Sequence, residues 1–401
     1  MNILIIQSAP ESNLISGEEV AIRNDINYLR SMNNNVHFEI IRMPKKTIFN
    51  ALVHAGGLIW SFKNSSKIEG LITKYSPDII HFHTLLPFTS LSVIQMASKM
   101  KVPVIQTLHN GRWLCLEGAY FRNNTYCNDC VGSYGVTGLL RGCGHGRTIS
   151  LFLFLNNFFF RKFEFLFSKI NHFIAVSDFV KNQHVNSNFP ENKITVRNNG
   201  FNFDKLTSEI EVDNMPIIKK NGIVFAGRVS IAKGALVLKY LIPKLQYPIK
   251  IIGNGPELSK LKFFCKDHSL NHVKFFDRLD NEETIKIIKN SVLTIIPSQC
   301  GDSFPTVALE SISVGTPIIA SNLGGLTDLI SDSGAGKLIQ YDDKEKFLDE
   351  INTLISNPEA LMKMSHAGQK YVEKNISLNK QGSELFAIYN QVIKQYNETK
   401  N

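Results

Sequence analysis

The sequence predicts an α/β protein of two domains, each a parallel sheet wrapped by helices. Two observations carry this expectation. Short β-branched or apolar runs alternate with longer amphipathic stretches through both halves of the chain, the pattern of parallel strands joined by crossover helices. A chain of 401 residues also exceeds what one hydrophobic core organises, so two domains of roughly 150 to 200 residues follow.

In the first half the strand-like runs are Met1 to Ile6, Val36 to Ile41, Asp78 to Phe82, Val102 to Leu108 and His172 to Val176. The apolar part of the first, Ile3 to Ile6, lacks a basic lead-in and is too short for a signal peptide or a membrane span, so it reads as a buried strand. Near Asn199-Gly200 the pattern gives way to a polar, acidic segment, Asn202 to Asn214. The domain linker is expected there, which places a first domain at 1–201 and a second at 202–379.

The second series of strands runs through Ile223 to Phe225, Ile249 to Ile252, Val273 to Phe276, Leu293 to Ile296 and Pro317 to Ala320. The last helical pattern, Lys380 to Tyr396, spaces Leu385, Phe386, Ile388, Tyr389, Val392 and Ile393 along one face. Residues 380–401 are therefore expected to form a helix that packs back on the first domain.

Hydrophobic residues make up 43% and charged residues 20% of the chain, enough for buried cores and unlike a disordered polymer. A formal charge of +9, from 44 basic against 35 acidic residues, favours an anionic partner. Basic residues are spread along the chain and aromatics lie in apolar runs, which argues against nucleic acid and for a phosphorylated small molecule or a membrane surface. Six cysteines in a chain of this length do not form a secreted disulfide framework, so a reducing, cytoplasmic setting is expected.

Three windows carry the chemistry. The first, Ile295-Ile296-Pro297-Ser298-Gln299-Cys300-Gly301-Asp302-Ser303-Phe304-Pro305-Thr306-Val307-Ala308-Leu309-Glu310, reads as strand, loop and helix start, with Pro305 in the helix's first turn. The free amides of Thr306 and Val307 and the positive end of the helix dipole make an anion site suited to a diphosphate. Glu310, one turn on, can accept from vicinal hydroxyls such as those of a ribose, and Asp302 from another polyol. An ordinary capped helix with a surface carboxylate is the bland alternative.

In the second window, Phe225-Ala226-Gly227-Arg228-Val229-Ser230-Ile231-Ala232-Lys233-Gly234, Gly227 permits close backbone approach. Arg228 and Lys233 place two cations at the end of a buried strand, where doubly wound sheets bind ligands. The third window, Ile252-Gly253-Asn254-Gly255-Pro256-Glu257, is a glycine turn after a strand.

The order and spacing of these windows, continued by Gly315-Thr316-Pro317 and Gly324-Gly325, resembles the C-terminal domain of family 4 glycosyltransferases. In the first half, Ser16-Gly17-Glu18-Glu19 looks like that family's glycine-rich first loop, Thr107-Leu108-His109-Asn110 like its histidine strand end, and Ala175-Val176-Ser177 with Asn199-Gly200 like its path to the linker. The resemblance covers nearly the whole chain. It implies a GT-B fold of two Rossmann-like domains, and transfer of a sugar from a UDP- or GDP-sugar with retention of configuration.

By the same resemblance, Arg228 and Lys233 would hold the donor diphosphate, Glu310 the ribose and Asp302 a hydroxyl of the transferred sugar. Thr306 and Val307 would add amide donors, Gly17, Gly227, Gly255, Phe304 and Pro305 would line the donor, and His109 would face the reacting sugar. Fixed cations and amides aimed at the departing diphosphate would stabilise its growing charge without a catalytic metal. Family habit makes the acceptor a saccharide or lipid-linked saccharide of an envelope polysaccharide, such as capsule, O-antigen or exopolysaccharide, with the protein cytoplasmic at the inner membrane face.

Two departures stand out. The acid that precedes Glu310 is usually Glu in the family and is Asp302 here, and Asp277 stands where the family often has Gly. The first bears on the sugar's identity and the second on the base pocket or its rim.

Cys115, Cys127, Cys130 and Cys143 form C-x11-C-x2-C-x12-C with His145 close behind, in an insertion at about 113–147. The C-x2-C core is compatible with a structural tetrahedral zinc, with free thiols, or with a redox-labile pair. Some members of the family look similar here. The Phe-rich stretch Ile149 to Phe167, with Arg161-Lys162, suits either a helix buried under the first sheet or peripheral contact with an anionic lipid surface. A sugar-nucleotide epimerase of the same fold and a non-catalytic sugar-nucleotide-binding protein are the competing readings.

Overall fold

The computed structural model describes residues 1–9, 17–42, 60–85, 89–144, 146–162, 168–202 and 220–399. Ser16, His145, the end of the Phe-rich stretch and most of the expected linker lie outside the described residues. The chain divides into two compact units. The first comprises 1–120, 128–200 and 378–401, and the second 121–127 and 201–377.

In the first unit, strands β1 (Asn2–Ala9), β2 (Asn35–Arg42), β3 (Ile79–His83) and β4 (Val104–Leu108) come before a short hairpin and are followed by β7 (His172–Ala175) and β8 (Ile194–Val196). The hairpin, β5 (Phe121–Arg122) and β6 (Thr125–Tyr126), clusters with the second unit. The order β2-β1-β3-β4-β7-β8 is parallel throughout. Every residue of β3 and β4 is buried, as expected of parallel strands covered on both faces.

Among the described residues the helices of this unit before the second are α1 (Gly17–Ser31), α2 (Phe62–Tyr75), α3 (Ser92–Lys99), α4 (Val136–Leu140), α5 (Arg147–Lys162) and α6 (Asp178–Val185). Their starts follow local chemistry. Ser61 caps α2 by accepting from the Asn64 amide, and Ser177 caps α6 by accepting from Val180, so the Ala-Val-Ser motif is a strand end followed by a helix cap.

The second unit repeats the plan with β9 (Ile223–Ala226), β10 (Ile249–Ile252), β11 (Val273–Phe276), β12 (Leu293–Ile296), β13 (Ile318–Ser321) and β14 (Gly336–Ile339). Its helices are α7 (Ala235–Leu241), α8 (Leu258–Asp267), α9 (Asn281–Lys289), α10 (Thr306–Ser313), α11 (Gly325–Ser333), α12 (Lys344–Ile355) and α13 (Pro358–Tyr371). The all-parallel order β11-β10-β9-β12-β13-β14 counts as 3-2-1-4-5-6 from β9, the doubly wound nucleotide-binding order. Its core gathers Ile223, Phe225, Leu238, Ile251, Ile295, Ile319 and Phe347.

The last helix, α14 (Leu378–Glu398), belongs to the first unit. Leu385, Ile388, Tyr389 and Val392 join Ile3, Ile5, Ile22, Ile26 and Ile79 in one core. A buried ion pair reinforces it: the Arg197 guanidinium grips both oxygens of Asp25 on α1 and donates through Nε to the Gln381 carbonyl on α14 at 2.8 Å.

Candidate functional site

Open α/β sheets bind ligands at the carboxyl ends of their strands, where the strand order reverses. In the second unit that point lies between β9 and β12, and the two charged windows are the loops that follow these strands. They touch directly, since the Gln299 amide donates to the Ala232 carbonyl at 2.8 Å. The third window locks onto the second. Gly227 donates to Ile252, Val229 to Asn254, and a Cβ on Gly253 or Gly255 would stand 2.1 Å from the Gly227 oxygen or 2.3 Å from the Val229 oxygen. The glycines of the third window therefore let the Arg228 loop lie against the end of β10.

Arg228 is exposed at this end and forms no ion pair among the described residues. Lys233 is held differently. Its ammonium donates to Asp302, whose other oxygen accepts from the Ser298 hydroxyl at 2.8 Å. Burial lowers the Lys233 pKa, and the Asp302 carboxylate outweighs this, leaving it raised above the ordinary lysine value. The Asp302 carboxylate thus faces Lys233 of the neighbouring loop and Ser298 of its own. A backbone lock completes the arrangement: the Gly325 amide donates to the Asp302 carbonyl at 2.7 Å, and a Cβ on Gly324 would lie 2.3 Å from that oxygen.

Helix α10 begins at Thr306, with Pro305 in the cap position ahead of the first turn and no side chain capping it. The Thr306 and Val307 amides precede the first intrahelical bond and remain directed out of the helix. Phe304 is buried behind them. Glu310 is half-buried, and burial pushes its carboxyl up to about 7. Asn281, the first residue of α9, donates to Glu310 Oε1 at 3.1 Å. Asp277 is exposed and paired with Lys262 at 3.3 Å, so its carboxylate is engaged on α8.

In the first unit the order reverses between β1 and β3. Thr84, just past β3, has φ +44° and is held on both sides: Ser8 donates to its carbonyl and its own hydroxyl donates to Glu18 on α1. Gly17 is the first residue of α1. His109, at the end of β4, lies with Nε2 2.8 Å from His83 Nδ1. Sequence reasoning missed His83, Ser298 and Asn281. Only His83 left a signal, as the second imidazole of a His-Phe-His strand end whose alternate residues share a face.

The cysteines form no disulfide, with Cys115 and Cys130 buried and Cys127 and Cys143 half-buried. Among the described residues no group of three or more His, Cys, Asp or Glu side chains is gathered to hold a metal. His145 of this cluster lies outside the described residues, and a Cβ on Gly138 would stand 3.0 Å from Cys130 Sγ. Helix α5 buries Ser150, Leu153, Asn156, Asn157 and Phe160, and Phe160 stacks on Trp113 at 4.1 Å. Leu151 on the same helix is exposed. No helix among the described residues is long and apolar enough to cross a membrane.

Residues 31–205 match the family described as Glycosyltransferase Family 4, and residues 209–371 the family described as Glycosyl transferases group 1. The chain is 24% identical over 312 residues to an uncharacterized glycosyltransferase of Methanocaldococcus jannaschii, a match spanning 78% of this chain and 75% of that one. It is 25% identical over 242 residues to the capsular polysaccharide biosynthesis glycosyltransferase CapM of Staphylococcus aureus, spanning 55% of this chain and 62% of CapM. The structure is similar to that of Anabaena HepE in complex with UDP, with a TM-score of 0.68 at 15% identity over 98% of this chain and 100% of that one.

Proposed function

Because this chain belongs to the family 4 glycosyltransferases and has the GT-B fold, we propose that it moves a sugar from a UDP- or GDP-sugar to a saccharide or lipid-linked acceptor of an envelope polysaccharide. The observation that carries the reading is the pairing of loops at the β9/β12 switch point. It sets Arg228 and Lys233 in one loop beside the loop that leads to the uncapped start of α10, an arrangement suited to a diphosphate. Negative charge grows on that diphosphate as the glycosidic bond breaks, and cations and amides already in place stabilise it with little reorganisation. A catalytic metal is not needed in this scheme.

Glu310, one turn inside α10, takes the ribose hydroxyls. Gly227 and Gly255 let backbone approach the donor, and Phe304 and Pro305 shape the turn that presents the amides. His109 faces the transferred sugar, and Gly17, the first residue of α1, lines the donor. Retention of configuration follows the family resemblance. The similarity to CapM supports an envelope polysaccharide as the product class, and the UDP complex of HepE supports a nucleoside diphosphate donor. A lipid-linked acceptor would bring the exposed side of α5 to the inner membrane face.

A thermal-shift screen with UDP, GDP, ADP and their sugars tests the donor class, because a ligand selective for the folded chain raises its stability. A shift with one nucleoside diphosphate, followed by product formation from its sugar and with the anomeric configuration read by NMR, is the expected result. Turnover of the donor without any acceptor would replace this reading by epimerisation. No shift with any of them would remove it.

A further inference from the structure

The C-terminal end of β3 carries a buried histidine to which the transfer reading gives no part. Ile79, His81 and His83 share one face of this strand, which passes from apolar core to two imidazoles. His81 is satisfied at both nitrogens, with Nδ1 2.6 Å from the Tyr389 hydroxyl and Nε2 2.7 Å from the Thr107 hydroxyl. His83 is not. Its Nδ1 lies 2.8 Å from His109 Nε2, while its own Nε2 is buried with no hydrogen-bond partner among the described residues.

A single hydrogen lies between the two facing nitrogens, and the unpartnered nitrogen decides which ring owns it. If His109 donated, neutral His83 would carry its hydrogen on Nε2, and a buried N–H would go unpaired. If His83 donates, its Nε2 holds only a lone pair. Orphaned buried N–H groups are the rarer of the two in folded proteins.

We propose that His83 is a positioning residue that donates its Nδ1–H to His109 and thereby fixes His109 as the tautomer with its hydrogen on Nδ1. The inference deepens the reading of His109 as the group that faces the transferred sugar, and rests on it. His109 then offers a neutral N–H donor to a sugar oxygen, and its Nε2 is unavailable as a base. The surrounding charges are consistent with two neutral rings. Burial lowers both pKa values, with His81, His109 and Arg197 also acting against a proton on His83. Around His109, burial outweighs the opposite pull of Glu18 and Asp25, and Arg197 adds to the lowering.

The test uses the full chain labelled with isotopic nitrogen in histidine, where long-range couplings report which ring nitrogen is protonated. His109 is expected to be protonated on Nδ1. His83→Leu should release a mixture of His109 tautomers and lower kcat by about tenfold, with the donor KM changed less than about twofold. His83→Asn places an amide donor near the Nδ1 position and should restore the tautomer and most of kcat. A His109 protonated on Nε2 in the unaltered protein overturns the proposal, as does a folded His83→Leu that keeps both tautomer and kcat. If His83→Leu does not fold, the spectrum of the unaltered chain decides. Should that spectrum show the expected tautomer while no donor is turned over, the positioning role stands and the transferase reading falls.

Discussion

Lys233 and Asp302 form an ion pair between the loops that follow β9 and β12. The pair holds the second cation of the phosphate site at the switch point, yet its carboxylate competes with an incoming diphosphate for that cation. Arg228 has no such rival among the described residues. Arg228→Ala and Lys233→Ala should each weaken nucleoside diphosphate binding and turnover by about tenfold or more, equivalent to about 1.4 kcal/mol. Asp302→Asn should do the opposite to binding, tightening it severalfold by calorimetry, because a negative charge beside the phosphates is gone. Weaker binding in Asp302→Asn would show that holding Lys233 in place matters more than the competition.

Glu310 sets a pH dependence. Its carboxyl is raised from 4.5 to about 7 by burial, and a ribose diol is best received by the ionised form. The donor KM should therefore climb as pH falls below about 7, while in Glu310→Gln it should be high and flat. A nucleotide sugar is the proper probe, since it lacks the terminal phosphate that titrates in a free diphosphate. Stability runs the other way. The folded chain holds this proton to a higher pH than the unfolded chain does, so stability is lost as pH rises from 4.5 to about 7. Glu310→Gln should then melt higher than the parent above pH 7 and alike below about pH 4. An unchanged melting difference across that range would place the burial penalty elsewhere.

How far the sequence foretold this site depends on chain separation. Local signals were legible: Pro305 at a helix start, and β-branched runs such as Ile249 to Ile252, which is β10 residue for residue despite its Lys250. The edge strands β8 and β14 were not, unlike the edges β2 and β11. β8 is three residues long and β14 contains Gly336 and Lys337, so neither shows the apolar run that marks a central strand. The positions of Arg228, Lys233 and Glu310 were readable because the resemblance supplied their order. Their partners were not: Ser298 and Asn281 are ordinary polar residues whose roles arise only from loop geometry. The Asp302 pairing depends on the length of one side chain and the approach of a loop 69 residues away.

The Gly324-Gly325 pair gives a test of that geometry with an internal control. Gly324 has φ 67° and ψ −154°, a region essentially reserved for glycine, and its Cβ would meet the Asp302 carbonyl at 2.3 Å. Gly334, at the other end of α11, also has positive φ, 62°, but its Cβ would only touch Ala367 at 3.8 Å. Both alanine variants should lose about 1 to 3 kcal/mol of stability in urea titrations. Only Gly324→Ala should lower kcat, by about tenfold, because only there must the Asp302 loop move. Equal activity in the two would detach the glycine pair from the site.

The buried pair of Arg197 and Asp25 supports the last prediction. It joins α1 to the segment after β8 and, through the Gln381 carbonyl, to α14. Both side chains are almost wholly excluded from solvent. Removing one member of such a pair leaves an uncompensated buried charge, so Asp25→Ala should cost the first unit about 3 to 5 kcal/mol. The measurement is direct, because both tryptophans, Trp60 and Trp113, lie in that unit and report its unfolding by fluorescence. Replacing both partners by apolar residues, Asp25→Leu with Arg197→Met, removes the stranded charge and should recover most of the loss. If the double variant is no more stable than Asp25→Ala, the contact of Arg197 with Gln381 on α14, and not the ion pair, is what secures the C-terminal helix.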